Sequence, residues 1–118
     1  MLMNWKRSVR LPVMCFACLL SLGAAKPEDA IMDRVERTVT LPEGASALSD
    51  YVRRYSYLGD RTVIGICILR EMGQSGQDRS WVKPSRLPQI SDGGCGVVTV
   101  FYDPRKKLPP ETRCNMKI

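Results

Sequence analysis

Residues 62–69 read T-V-I-G-I-C-I-L, an apolar run with no polar alternation. Successive side chains of a strand point to opposite faces, so an alternating run marks a half-exposed strand and a continuous apolar run marks one covered on both sides. The run therefore predicts a central strand, within Arg61 to Arg70, and a fold that must supply cover for two faces.

Upstream, Arg53 to Leu58 is β-prone, and Gly59-Asp60 separates it from the central run. Two β-prone runs joined by a short glycine-containing loop predict a hairpin. Leu48, Val52 and Tyr55 have helical spacing but compete with the strand-forming run Tyr51 to Tyr57, so a helical turn is expected near Leu48. Cys95 to Asp103 (C-G-V-V-T-V-F-Y-D) reads as a further strand. Glu111 to Ile118 alternates Thr112, Cys114, Met116 and Ile118 against polar residues, as a half-buried final strand does. Arg37 to Leu41 (R-T-V-T-L) also alternates and predicts a strand, and Trp81-Val82 a brief extended piece. Pro27, Glu28 and Asp29 suit the first turn of a helix over Lys26 to Glu36, with Ile31 and Val35 on one face; a mobile terminus is the alternative. Glycines and prolines between Glu71 and Gly94 keep that stretch irregular. The expectation is one small α+β domain dominated by an antiparallel β-sheet, with one short N-terminal helix or helical turn.

The N-terminus has a different grammar. Lys6, Arg7 and Arg10 precede an apolar stretch from Leu11 to Leu22, then Gly23, Ala24 and Ala25, then the polar Lys26-Pro27-Glu28-Asp29. A basic region, an apolar core and small residues before a cut make a secretory signal peptide, with cleavage expected between Ala25 and Lys26. The apolar stretch is shorter than the about 20 residues a spanning helix needs. The expected organisation is a signal peptide over 1–25 and one exported domain over 26–118, periplasmic or secreted, with no transmembrane segment. Loss of Lys6, Arg7 and Arg10 lowers the net charge from +6 to +3. That charge suits solubility and argues little about partners; nucleic acid is not expected.

Of five cysteines, Cys15 and Cys18 leave with the signal, and Cys67, Cys95 and Cys114 remain. An oxidising compartment permits one internal bridge and leaves one thiol over. Cys67 lies between Ile66 and Ile68 in the most covered strand, where a free thiol behaves as a small hydrophobe. The expected bridge is therefore Cys95 to Cys114. A plain two-strand register would set Cys114 opposite Val100, so the bridge requires a bulge, a neighbouring strand or a long return of the tail.

The segment "SDGGCGVVTVFYDP", the later "RCN", and Tyr51 to Tyr57 followed by "GDRTVIG" resemble small exported bacterial proteins of unknown function. The resemblance covers most of the exported chain. It implies a single exported domain and brings no activity with it.

The chain has no histidine. That removes Ser-His-Asp and Cys-His catalysis, the common zinc sites and the usual acid–base residue at neutral pH. Ser80-Trp81-Val82-Lys83 has the S-x-x-K spacing of penicillin-binding proteins, but Pro84 follows at once and the partner motifs are missing, so chance spacing in a loop is the better account. Asp29, Asp33 and Glu36 sit about one helical turn apart and read as a solvated face rather than a calcium site. No catalytic residue, cofactor or metal is expected.

The best binding candidate is the strand face Tyr51, Arg53, Tyr55 and Tyr57, which share one side of the strand with Arg54 on the other and could stack on sugars or bind anionic groups. Its plainer reading is that tyrosine forms strands well and arginine stems cover rings. Arg105-Lys106-Lys107 reads as a charged turn. The expected function is a non-catalytic binding, inhibitory or envelope-accessory module acting on a protein or envelope component. The alternatives are a small hydrolase using Asp92, Asp103 or Glu111 as acid and base, and association with anionic envelope surfaces through the cationic turn.

Overall fold

The computed structural model describes residues 26–115, so the signal peptide with its cut after Ala25, and the last residues of the expected final strand, lie outside the described residues. The chain forms one helix, α1 (Pro27–Thr38), and five strands, β1 (Tyr51–Tyr57), β2 (Val63–Leu69), β3 (Arg79–Trp81), β4 (Val97–Tyr102) and β5 (Glu111–Cys114). The strands make one sheet in the order β3-β1-β2-β4-β5. It is an α+β domain in which the sheet dominates.

The two-faced apolar run takes the middle of that sheet. β2 pairs antiparallel with β1 on one side and with β4 on the other. Its register aligns Arg53, Cys67, Val98 and Cys114 across four strands, and Tyr55, Gly65, Val100 and Thr112 beside them. All of these share one face. α1 covers it through Met32 and Val35, and the helix forms as its end residues dictate: Pro27 and two acids in the first turn, Arg37 in the last.

Antiparallel pairing dominates the sheet, and β3 adds one parallel pairing with β1 that makes it mixed. The brief extended piece expected at Trp81-Val82 is thus an edge strand, clipped by the Arg53 N–H to the Asp78 carbonyl and the Val82 N–H to the Tyr55 carbonyl, both at 2.8 Å. Arg37 to Leu41 is not a strand. Arg37 and Thr38 close α1, and the extended residues after them send Val39 and Leu41 into the core while Thr112 Oγ1 donates to the Thr40 carbonyl. Alternation there reports one buried side of an extended chain, not a ladder.

The hairpin forms with a longer loop than two residues. The Leu58 N–H bonds the Thr62 carbonyl, and Gly59, Asp60 and Arg61 bridge them with Arg61 at φ 69°. That is a turn followed by one left-handed residue, a common three-residue hairpin loop.

Val52, Ser56, Ile68 and Val97 are buried on the opposite face. The connection from β3 to β4 has to cross β1 and β2, and α1 with Val39 to Leu48 already occupies the first face. The crossing chain therefore takes the second. On the first face of β2 Val63, Gly65 and Cys67 are buried, while on the second Ile68 is buried and Ile64 and Ile66 are only half-buried, so the cover its composition demands is fuller on the first side than on the second.

Candidate functional site

The face predicted for binding exists, but it points inward. Tyr51, Arg53, Tyr55 and Tyr57 do share one side of β1, because alternation fixes that. α1 lies over it, so Tyr51 and Tyr55 are fully buried. The Tyr51 hydroxyl donates to the Cys95 carbonyl at 2.6 Å and accepts from the Ser46 N–H at 3.0 Å. Only Tyr57 reaches the surface, where its ring meets Trp81 edge to face at 4.7 Å. The four residues belong to the interior rather than to one exposed stacking surface.

Arg53 and Tyr55 instead build a cluster of charge between helix and sheet. Glu36 Oε2 accepts from Arg53 Nε at 2.8 Å and from the Tyr55 hydroxyl at 2.7 Å. Arg79 Nη1 lies 3.5 Å from Glu36 Oε1 and 2.9 Å from Asp33 Oδ1. The side chains of Glu36 and Arg53 keep only 14% and 13% of their exposure. Burial, the nearby Cys67 and the Glu36 charge push the Tyr55 hydroxyl far above its ordinary range, so it stays a hydrogen-bond donor. Burial and Glu36 push the Cys67 thiol up to about 12. These groups are spent on one another: two arginines meet two carboxylates and a tyrosine proton completes the set.

Sequence reading missed Glu36 by placing it, with Asp29 and Asp33, on a solvated face. The signal was available. Glu36 follows Val35 and stands four residues after Met32, at the rim of the apolar stripe, while Arg53 lies between Tyr51 and Tyr55 on the inward phase of β1. Opposite charges on two facing apolar stripes must find each other or be stranded.

Cys95 and Cys114 are bridged, and Cys67 is free and buried. Cys114 pairs in register with Val98, and Cys95 sits in a tight turn at Gly94–Gly96 just before β4. The turn folds Cys95 back beside the end of β5, which supplies the bend the bridge required. Asn115 completes this lock, its Nδ2 donating to the carbonyls of Ile90 at 2.6 Å and Asp92 at 2.9 Å.

The candidate acids are divided. Asp103 and Glu111 line one cleft of about 330 Å³ with Asp60, Arg105 and Leu108. Asp92 is elsewhere, its carbonyl held by Asn115. Arg105 binds both oxygens of Asp103, at 2.9 and 3.0 Å, and holds that carboxyl down to about 2. On the other side of the same loop, Arg105, Lys106 and Lys107 line a second cleft of about 570 Å³ with Arg34 of α1. Among the described residues no helix is long and apolar enough to cross a membrane.

No protein-family model matches the chain, and no curated protein or solved structure shows significant similarity to it.

Proposed function

We propose that the chain is an exported, non-catalytic binding domain, an inhibitory or envelope-accessory module whose partner is a protein or an envelope component. The observation that carries this reading is the fate of its reactive groups. The densest set of titratable side chains, around Glu36, joins α1 to the sheet and is satisfied internally. The disulfide ties the opposite edge of the sheet, where β5 meets the turn before β4. The result is a braced scaffold that presents turns, and binding residues are often carried on loops held by such a frame.

The hydrolase alternative draws on Asp103 and Glu111 in one cleft. A general acid must hold a proton near the working pH, and Arg105 keeps Asp103 ionised far below it. Export is read from the sequence alone, through the cut expected after Ala25.

The experiment has two arms. The exported chain, its N-terminus read by mass spectrometry, is immobilised and used to capture components of its own envelope fraction. Each captured component is then purified and titrated. A mature N-terminus at Lys26 and saturable binding that survives Asp103→Asn and Glu111→Gln are expected. Turnover of an envelope substrate, abolished by either substitution, would replace the binding reading with the hydrolase.

A further inference from the structure

The turn joining β1 to β2 and the loop joining β4 to β5 project from the same end of the sheet, since Val63 is paired with Tyr102. Four large apolar side chains are exposed among the described residues, and three of them, Tyr57, Leu58 and Leu108, are at this end. Leu108 is the most exposed, at 65%. Around them stand Arg34, Arg61, Lys106 and Lys107, all exposed, and none is in an ion pair with an acid among the described residues. Three separate elements supply these cations: α1, the β1–β2 turn and the β4–β5 loop.

The acids at this end are Asp60, Asp103 and Glu111, and they line the first cleft, which Arg105, Lys106 and Leu108 also border. Asp103 is occupied by Arg105, and Asp60 accepts the Thr62 N–H at 3.0 Å. The α1 side of the loop is lined by cations without a carboxylate.

We propose that this end of the sheet docks on an anionic phospholipid bilayer, with Leu108 and Leu58 entering the interface and the cations lying over lipid phosphates. The inference rests on the binding-module reading and names its partner. The combination decides the occupant. A soluble anion fits the cleft that Arg34, Lys106 and Lys107 share, but it leaves Leu58 and Leu108 in water. An anionic polysaccharide satisfies the cations but offers nothing to exposed leucines. A bilayer with anionic headgroups satisfies both, and tyrosine and tryptophan, here the Tyr57–Trp81 pair beside the tip, suit its interface.

The test is sedimentation of the exported chain with vesicles of phosphatidylcholine alone and of phosphatidylcholine with one third phosphatidylglycerol. Any part of residues 1–25 still attached is common to every variant, so differences between variants report the tip. The wild type should bind the anionic vesicles more than ten-fold better, and the preference should fall steeply with salt. The double variant Lys106→Gln, Lys107→Gln should lose roughly 25-fold, at about five-fold for each cation near an anionic surface. Leu108→Ser should lose roughly ten-fold. These are exposed positions, and an unchanged circular dichroism spectrum shows that each variant is folded. Equal binding to both vesicles, or full binding by the double variant, overturns the proposal. Salt-sensitive binding to dextran sulfate that Leu108→Ser leaves intact, with no binding to vesicles, overturns it in favour of an anionic polymer. Failure on vesicles with saturable capture of a purified envelope protein overturns the lipid assignment and leaves the binding-module reading standing.

Discussion

The ring of Tyr55 lies over its cross-strand partner Gly65: a Cβ on that glycine would stand 2.5 Å from Tyr55 Cε1 and 2.8 Å from Cδ1. The missing side chain is what lets the ring lie flat on the sheet, and the ring's position is what delivers its hydroxyl to Glu36. A glycine that looks like a weakness in a central strand is therefore required by its neighbour.

Gly65→Ala should displace the Tyr55 ring and cost about 1–3 kcal/mol, the usual range for overpacking a tight site. Urea denaturation reads it. In a Tyr55→Leu background the same change should cost clearly less, because the two residues share one space. Equal costs in both backgrounds would separate the pair.

Glu36→Gln keeps the shape of the side chain and removes its charge. Arg53, held at 2.8 Å and mostly buried, then loses its only carboxylate among the described residues. Breaking one partner of a buried pair typically costs about 3–5 kcal/mol, and the small residual exposure here sets the expectation near the lower figure. Asp33→Asn, at a carboxylate that is largely exposed, should cost less than about 1 kcal/mol. A similar loss from both changes would mean that Glu36 contributes no more than a surface charge.

Alkaline pH should weaken the fold. Cys67 rises from its ordinary 9.0 to about 12 on folding, so the native state holds this proton more tightly than the unfolded chain does. The stability linked to it is complete below pH 9 and is lost as pH rises from 9 towards 12. Tyr55 is shifted in the same direction and adds to the loss from about pH 10 upward. Denaturation midpoints measured across this range should fall, and the early part of the fall should be smaller in Cys67→Ala. A thiol alkylating reagent at pH 8 should leave Cys67 unmodified until the chain unfolds.

At the acid end the carboxyl of Asp103 behaves in the opposite sense. Arg105 depresses it from 3.8 to about 2, so its contribution is present above about pH 4 and is lost as pH falls towards 2. Arg105→Gln should move the Asp103 titration, followed by NMR, up towards the ordinary carboxylate range, with part of the depression kept by the N–H of residue 105, which also bonds Asp103 Oδ1 at 2.9 Å. The side chain of Arg105 is exposed, so global stability should change little. An unmoved Asp103 titration would show that the pair is not formed in solution.

The sequence by itself determined the parts of this protein that depend on local pattern. The continuous apolar run of β2 required a central strand, and alternation along β1 put Tyr51, Arg53, Tyr55 and Tyr57 on one side. Cys67, flanked by isoleucines, was marked as the buried thiol, and the other two cysteines were left to pair. What alternation cannot encode is which side another element will cover. Tertiary structure decided that α1 lies on the tyrosine face, and so turned a candidate binding surface into a core. It also decided that Arg79, distant in sequence, joins Glu36 through a parallel edge strand that three residues could not announce. The gathering of Leu58, Leu108, Arg34 and Lys106 at one end follows from register, since strand pairing brings two turns and a helix side together. Local pattern fixes the phase of each strand; long-range pairing fixes which phases meet, because only the burial of all the faces at once selects among the registers that each strand alone allows.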